Sequence, residues 1–197
     1  MVDSIVMNLT KPLFMGSGGT IFFIANKKEY VKAMGSELEF SFYKNKYSDS
    51  YDTIDYKDWQ IGLNHRNNAL RLYFLIKFFG MKMLRESIIY RNRLAQELER
   101  KVRHCKYFRL FCKQIFGLVC FQLNVDDNRS ELTLELGEII KDLEEGYATP
   151  ASFKGDGIMR IVVGNPNTRE DHLTAYWNKV VEITEKFVEE KQLKLMI

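Results

Sequence analysis

The sequence contains few cysteines and almost no excess of charge. Its 197 residues include only three cysteines, an odd number without the C-x-x-C spacing of common metal and redox sites. We therefore interpret them as buried or unreactive thiols in a reducing compartment. The 29 basic and 26 acidic residues give a net charge of only +3. This small excess does not indicate a nucleic-acid partner, and the cysteine count excludes a disulfide-rich scaffold.

Long hydrophobic runs are also lacking. The most apolar stretch, residues 70–79, is interrupted by Arg71 and Lys77 and is much shorter than the roughly 20 residues that span a bilayer. Asp3 precedes any basic residue, and no small-residue cleavage site follows an apolar core, so the pattern is not that of a signal peptide. We expect a cytoplasmic protein that does not use a membrane.

The first third of the sequence predicts a β-hairpin, a long loop and an apolar helix. Residues 2–8 and 20–24 are rich in β-branched and aromatic side chains, and the small-residue turn at 16–19 lies between them. Residues 36–56 are polar without a sustained period, and a loop of that length is usually functional or mobile. Residues 63–79 are apolar on nearly every face, which predicts a helix that is buried on several sides and ends at Gly80.

The rest of the sequence alternates helices and strands. An amphipathic helix begins at Met81, strands are predicted over 116–123 and 158–163, and a helix over 130–145 lies between them. Short extra strands are predicted near Phe108 and Phe153, and Thr168 with Asp171 resembles a capping box at the start of the last helix. This order predicts an α+β fold in which helices cover one face of a small, mostly antiparallel sheet.

The periodic positions identify the side chains that these helices should bury. The predicted core positions are Met81, Leu84, Ile88, Ala95, Leu98 and Val102, then Leu132, Leu136, Ile139 and Leu143, then Leu173, Trp177, Val180, Thr184 and Phe187. The opposite face of the helix after Gly80 carries the i,i+4 pairs Arg93–Glu97 and Glu99–Arg103. Basic residues between 85 and 109, Arg91 among them, alternate with acids, which indicates a solvated surface rather than a phosphate-binding face.

Most candidate chemical motifs favour ordinary structural interpretations. His65, His104 and His172 are far apart and lack metal-ligand spacing, so no metal site is predicted. The glycine-rich turn at 16–19 opens into a strand rather than a helix, which favours a plain turn over a phosphate cradle.

Lys11 is the exception, because it directly follows a short apolar strand. Pro12 fixes its own φ and restricts Lys11 to extended backbone, which sets the direction of the lysine side chain. A lysine in a partly apolar site has a lowered amine pKa and can form a Schiff base. A purely structural lysine remains the alternative on this evidence.

Four segments together resemble the group II pyridoxal-phosphate (PLP) amino-acid decarboxylases. Residues 3–11, with Asp3-Ser4 and Asn8-Leu9-Thr10-Lys11, resemble the family's D-S-x-x-x-N-P-H-K-W segment. Residues 58–74 are similar to the D-W-Q-I-P-L-x-R-R-x-x-x-L-K-L-W-F run of aromatic-L-amino-acid decarboxylases. Residues 116–121 match the F-G-L-V-C-F strand, and residues 160–171 fit the last strand and helix. The resemblance is collinear over essentially the whole chain.

The resemblance implies the C-terminal part of a fold-type I PLP-dependent transferase, within the α/β superfamily. Residues 1–60 would be a remnant of the PLP-binding large domain, and residues 61–197 a linking helix and the C-terminal small domain. The N-terminal bulk of the large domain, which supplies the partner of the pyridine nitrogen, is expected to lie outside this chain. Such enzymes are cytoplasmic homodimers of amino-acid metabolism that release an amine and CO₂.

The resemblance also assigns roles to individual residues. Lys11 would bind PLP covalently, and Thr10 stands at a position that normally helps hold the cofactor phosphate. Leu9, Thr10 and Pro12 stand where the family usually has Pro, His and Trp. Asn64 falls at a substrate-pocket position.

The family's mobile loop carries a tyrosine that donates a proton to the substrate carbon. Counting from Lys11 places Phe40 at this position and counting from Trp59 places Phe42, whereas a small gap selects Tyr43, which is followed by lysine like the family's tyrosine. Phenylalanine there is associated with aldehyde synthesis by oxidative deamination, because the proton donor is lost.

Four interpretations of the function therefore compete. The first is PLP-dependent decarboxylation of an aromatic L-amino acid by a truncated or partial family member. The second is aromatic aldehyde synthesis, if a phenylalanine replaces the loop tyrosine. The third is a catalytically inactive paralogue that acts as an interaction module and pairs with a full-length relative. An unrelated α+β binding domain is the weakest alternative.

Overall fold

A computed structural model describes residues 2–34, 56–59, 66–144 and 146–196. The chain forms two compact units, Met1–Gly80 and Met81–Ile197, and each is described by itself. The predicted long loop, apart from its last residue Tyr56, and the predicted domain boundary between residues 60 and 61 fall outside the described residues and stay predictions.

The first unit begins with the predicted hairpin. Strand β1 (Ser4–Asn8) pairs antiparallel with β2 (Thr20–Ile24), and the register runs from Ser4 opposite Ile24 to Asn8 opposite Thr20. A helix that the sequence pattern did not indicate, α1 (Lys27–Met34), follows β2. The Asn26 side-chain oxygen accepts a hydrogen bond from the backbone N–H of Glu29 at 3.3 Å, which caps the start of α1.

Helix α2 (Asn68–Arg103) is interrupted at Gly80, which adopts φ 73° and ψ 155°. The predicted break at this glycine is confirmed, and glycine suits it because a side chain at that φ would be strained. Asn67 caps the helix start, since its side-chain oxygen accepts a hydrogen bond from the Leu70 N–H at 3.0 Å.

The prediction that the helix before Gly80 is buried on several sides is wrong. Phe74 is 59% exposed and Phe78 is 83% exposed. An apolar helix is buried only where a second surface packs against it. The described part of the first unit meets this segment chiefly through the loop between β1 and β2, which is too small to cover all of its faces.

The second unit is built on a four-stranded antiparallel sheet. Its strands are β3 (Phe108–Leu110), β4 (Leu118–Leu123), β5 (Ala148–Phe153) and β6 (Asp156–Val162), in the spatial order β3-β4-β6-β5. The small antiparallel sheet and both short extra strands are confirmed. The two longer strands begin two residues away from their predicted starts, because β4 follows a turn closed by Ile115 and Leu118 and β6 begins in its hairpin with β5.

Helices α3 (Arg129–Lys141) and α4 (Glu170–Glu190) pack with the last turns of α2 around one core. Phe121 is fully buried at its centre, with its ring 5.0 Å from that of Phe108 and 6.0 Å from that of Trp177. Gly137 lets α3 approach β5 closely, because a Cβ at this position would lie 2.8 Å from the Pro150 Cβ. Most predicted core positions are buried or partly buried, but the prediction is wrong for Met81, which is 59% exposed, and for Ile139, which is 47% exposed while its neighbour Ile140 is buried.

Three predicted details of charge and capping are wrong. Arg91 is only 5% exposed, and its guanidinium donates to the carbonyls of Ser87 at 3.1 Å and Gly164 at 2.9 Å. Arg91 therefore links α2 to the segment that follows β6 instead of facing solvent.

The other two details concern pairing partners. Helix α4 begins after Arg169, which makes no side-chain capping bond, so the capping box of Thr168 and Asp171 does not form. The Arg169 guanidinium instead binds Asp171 at 2.9 Å and lowers the pKa of that carboxyl. Glu97 pairs with Arg100, whereas the predicted Glu99–Arg103 pair is confirmed at 2.9 Å.

In the part of the chain that the structure describes, no helix is both long and apolar enough to cross a membrane.

Candidate functional site

Lys11 lies exposed on the loop between β1 and β2, residues 9–19, which we call the lysine loop. The Leu9 N–H donates to the Gly19 carbonyl at 2.6 Å, which closes the base of the loop. The Leu13 N–H donates to the Leu9 carbonyl at 3.1 Å, so a single helical turn surrounds Lys11. The predicted extended backbone at this lysine is therefore replaced by a compact turn, whose closing hydrogen bond outweighs the local effect of Pro12.

Thr10 is oriented by the residue that ends β1. Both the backbone N–H and the hydroxyl of Thr10 donate to the Asn8 side-chain oxygen, at 2.9 and 2.6 Å. This is an Asx-type turn, in which an asparagine side chain replaces a backbone acceptor. Both Thr10 donors are thus engaged within the protein, and the hydroxyl oxygen keeps its capacity to accept.

Two apolar side chains anchor the lysine loop. Leu9 is 3% exposed and Met15 is 4% exposed. Met15 packs on the backbone of Gly19, where an added Cβ would lie only 2.7 Å from the Met15 Cβ. Phe14 adopts a left-handed φ of 58°, and its ring makes an edge contact with Phe79 at 6.0 Å. Lys11 is therefore carried by a loop whose backbone is held on both sides.

The first turn of α2 captures three carbonyl oxygens of the lysine loop. Arg71 Nη1 donates to the Met15 carbonyl at 2.9 Å and to the Ser17 carbonyl at 3.2 Å, and Asn68 Nδ2 donates to the Gly18 carbonyl at 2.9 Å. We call these two side chains the carbonyl clamp. Because the glycine-rich turn directs carbonyls toward side-chain donors, the geometry favours a plain turn over a phosphate cradle.

The Asp58-Trp59 motif is anchored on α1. The Tyr30 hydroxyl donates to the Trp59 carbonyl at 3.0 Å, and the two rings lie 5.8 Å apart. Lys57 pairs with Asp58 at 2.8 Å, and Lys27 lies over the Trp59 ring at 5.9 Å. This part of the family motif therefore has a structural role in the first unit.

An open apolar groove runs along the first segment of α2. Its volume is about 780 Å³, and it is lined mainly by apolar side chains, with Arg71 and Lys77 also in the lining. We define the apolar face as four exposed side chains of this segment: Leu70, Tyr73, Phe74 and Phe78. This surface agrees with the expectation that the apolar helix over residues 63–79 is left exposed in a chain without the large domain that would cover part of it.

Two predicted site residues, Tyr43 and Asn64, lie outside the described residues, as do Phe40 and Phe42, the alternatives to Tyr43. Their assigned roles stay predictions. Of the predicted residues, the structure brings together Lys11 and Thr10, which are adjacent in the lysine loop.

The cysteines of the second unit are unpaired thiols in three environments. Cys112 is exposed, Cys105 is partly buried and Cys120 is buried. Burial, together with the neighbouring Cys112, raises the pKa of the Cys120 thiol to about 11. Among the described residues, no three His, Cys, Asp or Glu side chains come together in a way that could hold a metal ion.

Comparison with known proteins places these features in context. Residues 1–124 match the family model described as the pyridoxal-dependent decarboxylase conserved domain. A phenylacetaldehyde synthase from a Rosa hybrid cultivar is 32% identical over 189 residues, which cover 90% of this chain and 37% of that protein. A tryptophan decarboxylase of Camptotheca acuminata is 32% identical over 157 residues, which cover 77% of this chain and 31% of that protein.

Solved structures also show similarity to decarboxylases over part of their length. The Oryza sativa protein TDC, crystallised with PLP and tryptamine, is 25% identical with a TM-score of 0.82 over 94% of this chain and 39% of its own. Catharanthus roseus tryptophan decarboxylase in complex with L-tryptophan is 25% identical with a TM-score of 0.79 over the same shares. The chain thus spans less than two-fifths of the length of these relatives, and its α+β fold is that of the C-terminal part of PLP-dependent decarboxylases.

Proposed function

Because the chain belongs to the family of pyridoxal-dependent decarboxylases, we propose that it is the C-terminal part of a carboxy-lyase that converts an aromatic L-amino acid to an amine and CO₂. The single observation that carries the proposal is the lysine loop. It carries the exposed residue Lys11 on a backbone that its own turn and the carbonyl clamp hold in place.

The chemistry of the lysine loop fits PLP. A primary amine on a held loop is the group that condenses with an aldehyde, so Lys11 would hold the cofactor covalently. When bound, the cofactor supplies an electron sink for the electrons of the breaking Cα–carboxyl bond. The protein binds it, orients the substrate and controls protons.

Thr10 would contribute little to holding the cofactor phosphate in the observed conformation. Its N–H and hydroxyl both donate to Asn8, so neither is directed at an anion. A phosphate would have to compete with Asn8 for these donors. We therefore expect the chain on its own to hold the cofactor weakly.

The role of the proton donor falls to Tyr43 in this proposal. After loss of CO₂, the Tyr43 hydroxyl would deliver a proton to the substrate Cα, and the amine would be released. Asn64 would line the substrate pocket and influence which aromatic side chain is accepted.

Aldehyde synthesis is the second candidate, favoured by the name of the rose relative and by the phenylalanines at 40 and 42. In that reaction the amino acid, O₂ and water would yield the aldehyde, CO₂, ammonia and H₂O₂. The two reactions differ in whether Cα receives a proton or is oxidised by O₂.

An inactive interaction module is the candidate from a different class. Its supporting observation is the apolar face, which stands exposed in the described part of the first unit. Such a surface fits a homodimer or a pairing with a full-length relative, because exposed apolar patches of this kind usually mark interaction sites.

A hybrid enzyme tests these alternatives. It would join the N-terminal part of the Oryza sativa protein to residues 1–197 of this chain, and its products from L-tryptophan and L-tyrosine would be measured. The proposal predicts amine formation that Lys11→Ala abolishes, and a shift from amine toward aldehyde in Tyr43→Phe.

Two outcomes would contradict it. A hybrid that folds and retains PLP but forms neither product would support the inactive module. An amine-to-aldehyde ratio that Tyr43→Phe leaves unchanged would remove Tyr43 as the proton donor. Phe42→Tyr is the matched variant, because it restores a hydroxyl at the competing register position.

A further inference from the structure

The lysine loop has an unusual backbone for its short length. Phe14, Gly16 and Gly18 all have left-handed φ values, of 58°, 65° and 84°. Glycine adopts such values without steric cost, whereas a phenylalanine keeps one only where surrounding contacts hold it. Local sequence preference therefore accounts for the two glycines but not for the backbone at Phe14.

The contacts that hold it come from one turn of α2. Asn68 and Arg71 are three residues apart, so their side chains leave the same face of the helix. Between them they bind the carbonyls of residues 15 and 17, which flank Gly16, and the carbonyl of Gly18 itself. Nη1 of Arg71 alone bridges two carbonyls.

Two further contacts connect the clamped half of the loop to Lys11. The buried Met15 side chain packs on Gly19, and the Gly19 carbonyl accepts the N–H of Leu9 at 2.6 Å. The Leu9 carbonyl in turn accepts the N–H of Leu13 and closes the turn around Lys11. Movement of the Met15 carbonyl would therefore disturb both hydrogen bonds that fix the lysine backbone.

We propose that Asn68 and Arg71 are positioning residues for Lys11, and that they act by binding three carbonyls of the lysine loop. The contacts of the clamp are observed directly, and only the binding of PLP by the positioned Lys11 rests on the proposed function. Arg71 is the stronger of the two, because its charged donor binds two carbonyls whereas Asn68 binds one.

The test combines two measurements on the full 197-residue chain. Hydrogen–deuterium exchange reports the Leu9 and Leu13 amides. Borohydride reduction in the presence of PLP, followed by peptide mapping, reports how much cofactor is trapped on Lys11 relative to the exposed Lys154 of the second unit. The variants are Arg71→Ala, Arg71→Lys and Asn68→Ala. Lys77→Ala is the matched control, because it removes a cation from the same helix segment.

The expected result is a graded loss of order in the lysine loop. Arg71→Ala should raise exchange at both amides roughly tenfold and lower the Lys11-to-Lys154 trapping ratio toward one. Asn68→Ala should have a smaller effect, and Arg71→Lys should restore part of the protection because a lysine can still donate to one carbonyl. Lys77→Ala should match the wild type.

The two measurements separate the clamp from the cofactor role. Unchanged exchange and an unchanged trapping ratio in both Arg71 variants would overturn the clamp, even if wild-type Lys11 traps PLP preferentially. A wild-type chain that shows no preference for Lys11, together with raised exchange in Arg71→Ala, would support the clamp and leave the cofactor role of Lys11 to the hybrid enzyme. Thermal unfolding of each variant identifies any that fails to fold, in which case Arg71→Lys decides.

Discussion

The two units of this chain bury their apolar side chains to very different degrees. The second unit has a continuous core in which Phe121, Leu98 and Met159 are completely buried. In the described part of the first unit, the buried apolar side chains are Leu9 and Met15, whereas Phe74 and Phe78 face solvent. Both units are rich in apolar residues, so composition alone does not decide which one forms a core. What decides it is whether a second surface is present to cover the apolar face.

Replacement of the central core residue should give the largest effect. Phe121→Ala removes a completely buried ring that contacts Phe108 and Trp177, and we expect it to lower the free energy of unfolding of the second unit by about 3–5 kcal/mol. Urea unfolding monitored by tryptophan fluorescence measures this change. Phe116→Ala is the matched control, because that ring is 76% exposed, and its effect should stay within about 0.5 kcal/mol. Equal effects of the two substitutions would contradict the assigned core.

The apolar face should cause self-association of the isolated chain. The free energy falls when a second surface covers exposed apolar side chains on one helix segment. Light scattering should therefore show a mass that increases with protein concentration. Phe74→Glu combined with Phe78→Glu should shift the distribution toward monomer, whereas Phe116→Glu in the second unit should change it little. A monomer at all concentrations in the wild type would exclude this role of the apolar face.

The cysteines of the second unit should differ in reactivity by burial. With a pKa of about 11, only roughly one Cys120 thiol in a thousand is ionised at pH 8. Since the thiolate is the reactive form, Cys120 should be alkylated last, and its rate should keep rising as the pH approaches 11. The exposed Cys112 should react first. Peptide mapping after timed iodoacetamide treatment gives the order, and faster labelling of Cys120 than of Cys112 would contradict the assigned burial.

PLP should be lost readily from the 197-residue chain. Thr10 offers no uncommitted donor in the observed loop, so the amine of Lys11 alone provides a reversible attachment. Absorbance from protein-bound cofactor should disappear on dialysis. Absorbance that survives dialysis in the wild type and is absent from Lys11→Ala would show that the chain holds the cofactor by contacts beyond those assigned above.

The same contrast explains which features the sequence predicts. The second unit follows its periodic pattern closely, because helices and sheet cover each other and buried positions such as Leu98, Leu136 and Trp177 are those that the period selects. The prediction was wrong for Arg91, since a buried arginine that donates to two carbonyls looks like a surface arginine in sequence. The apolar pattern alone predicts burial of Phe74 and Phe78, whereas the resemblance, which leaves the covering large domain outside this chain, predicts the exposure that is observed.

The candidate site was predictable only in part. The motif around Lys11 identified the lysine, but its compact turn depends on Arg71, which lies 60 positions later in the chain. No local rule connects the two. Contacts between distant segments thus decide the shape of the lysine loop, while residue identity decides its chemistry.

Reductive trapping of PLP on the hybrid of the Oryza sativa N-terminal part with residues 1–197 tests the central claim most directly, namely that Lys11 is the cofactor lysine of a pyridoxal-dependent decarboxylase. Borohydride added to the hybrid while PLP is present should fix the cofactor on the Lys11 peptide in clear excess over the Lys154 peptide, because the completed site would hold the cofactor beside Lys11. Trapping at Lys11 that is no greater than at Lys154 would contradict the claim.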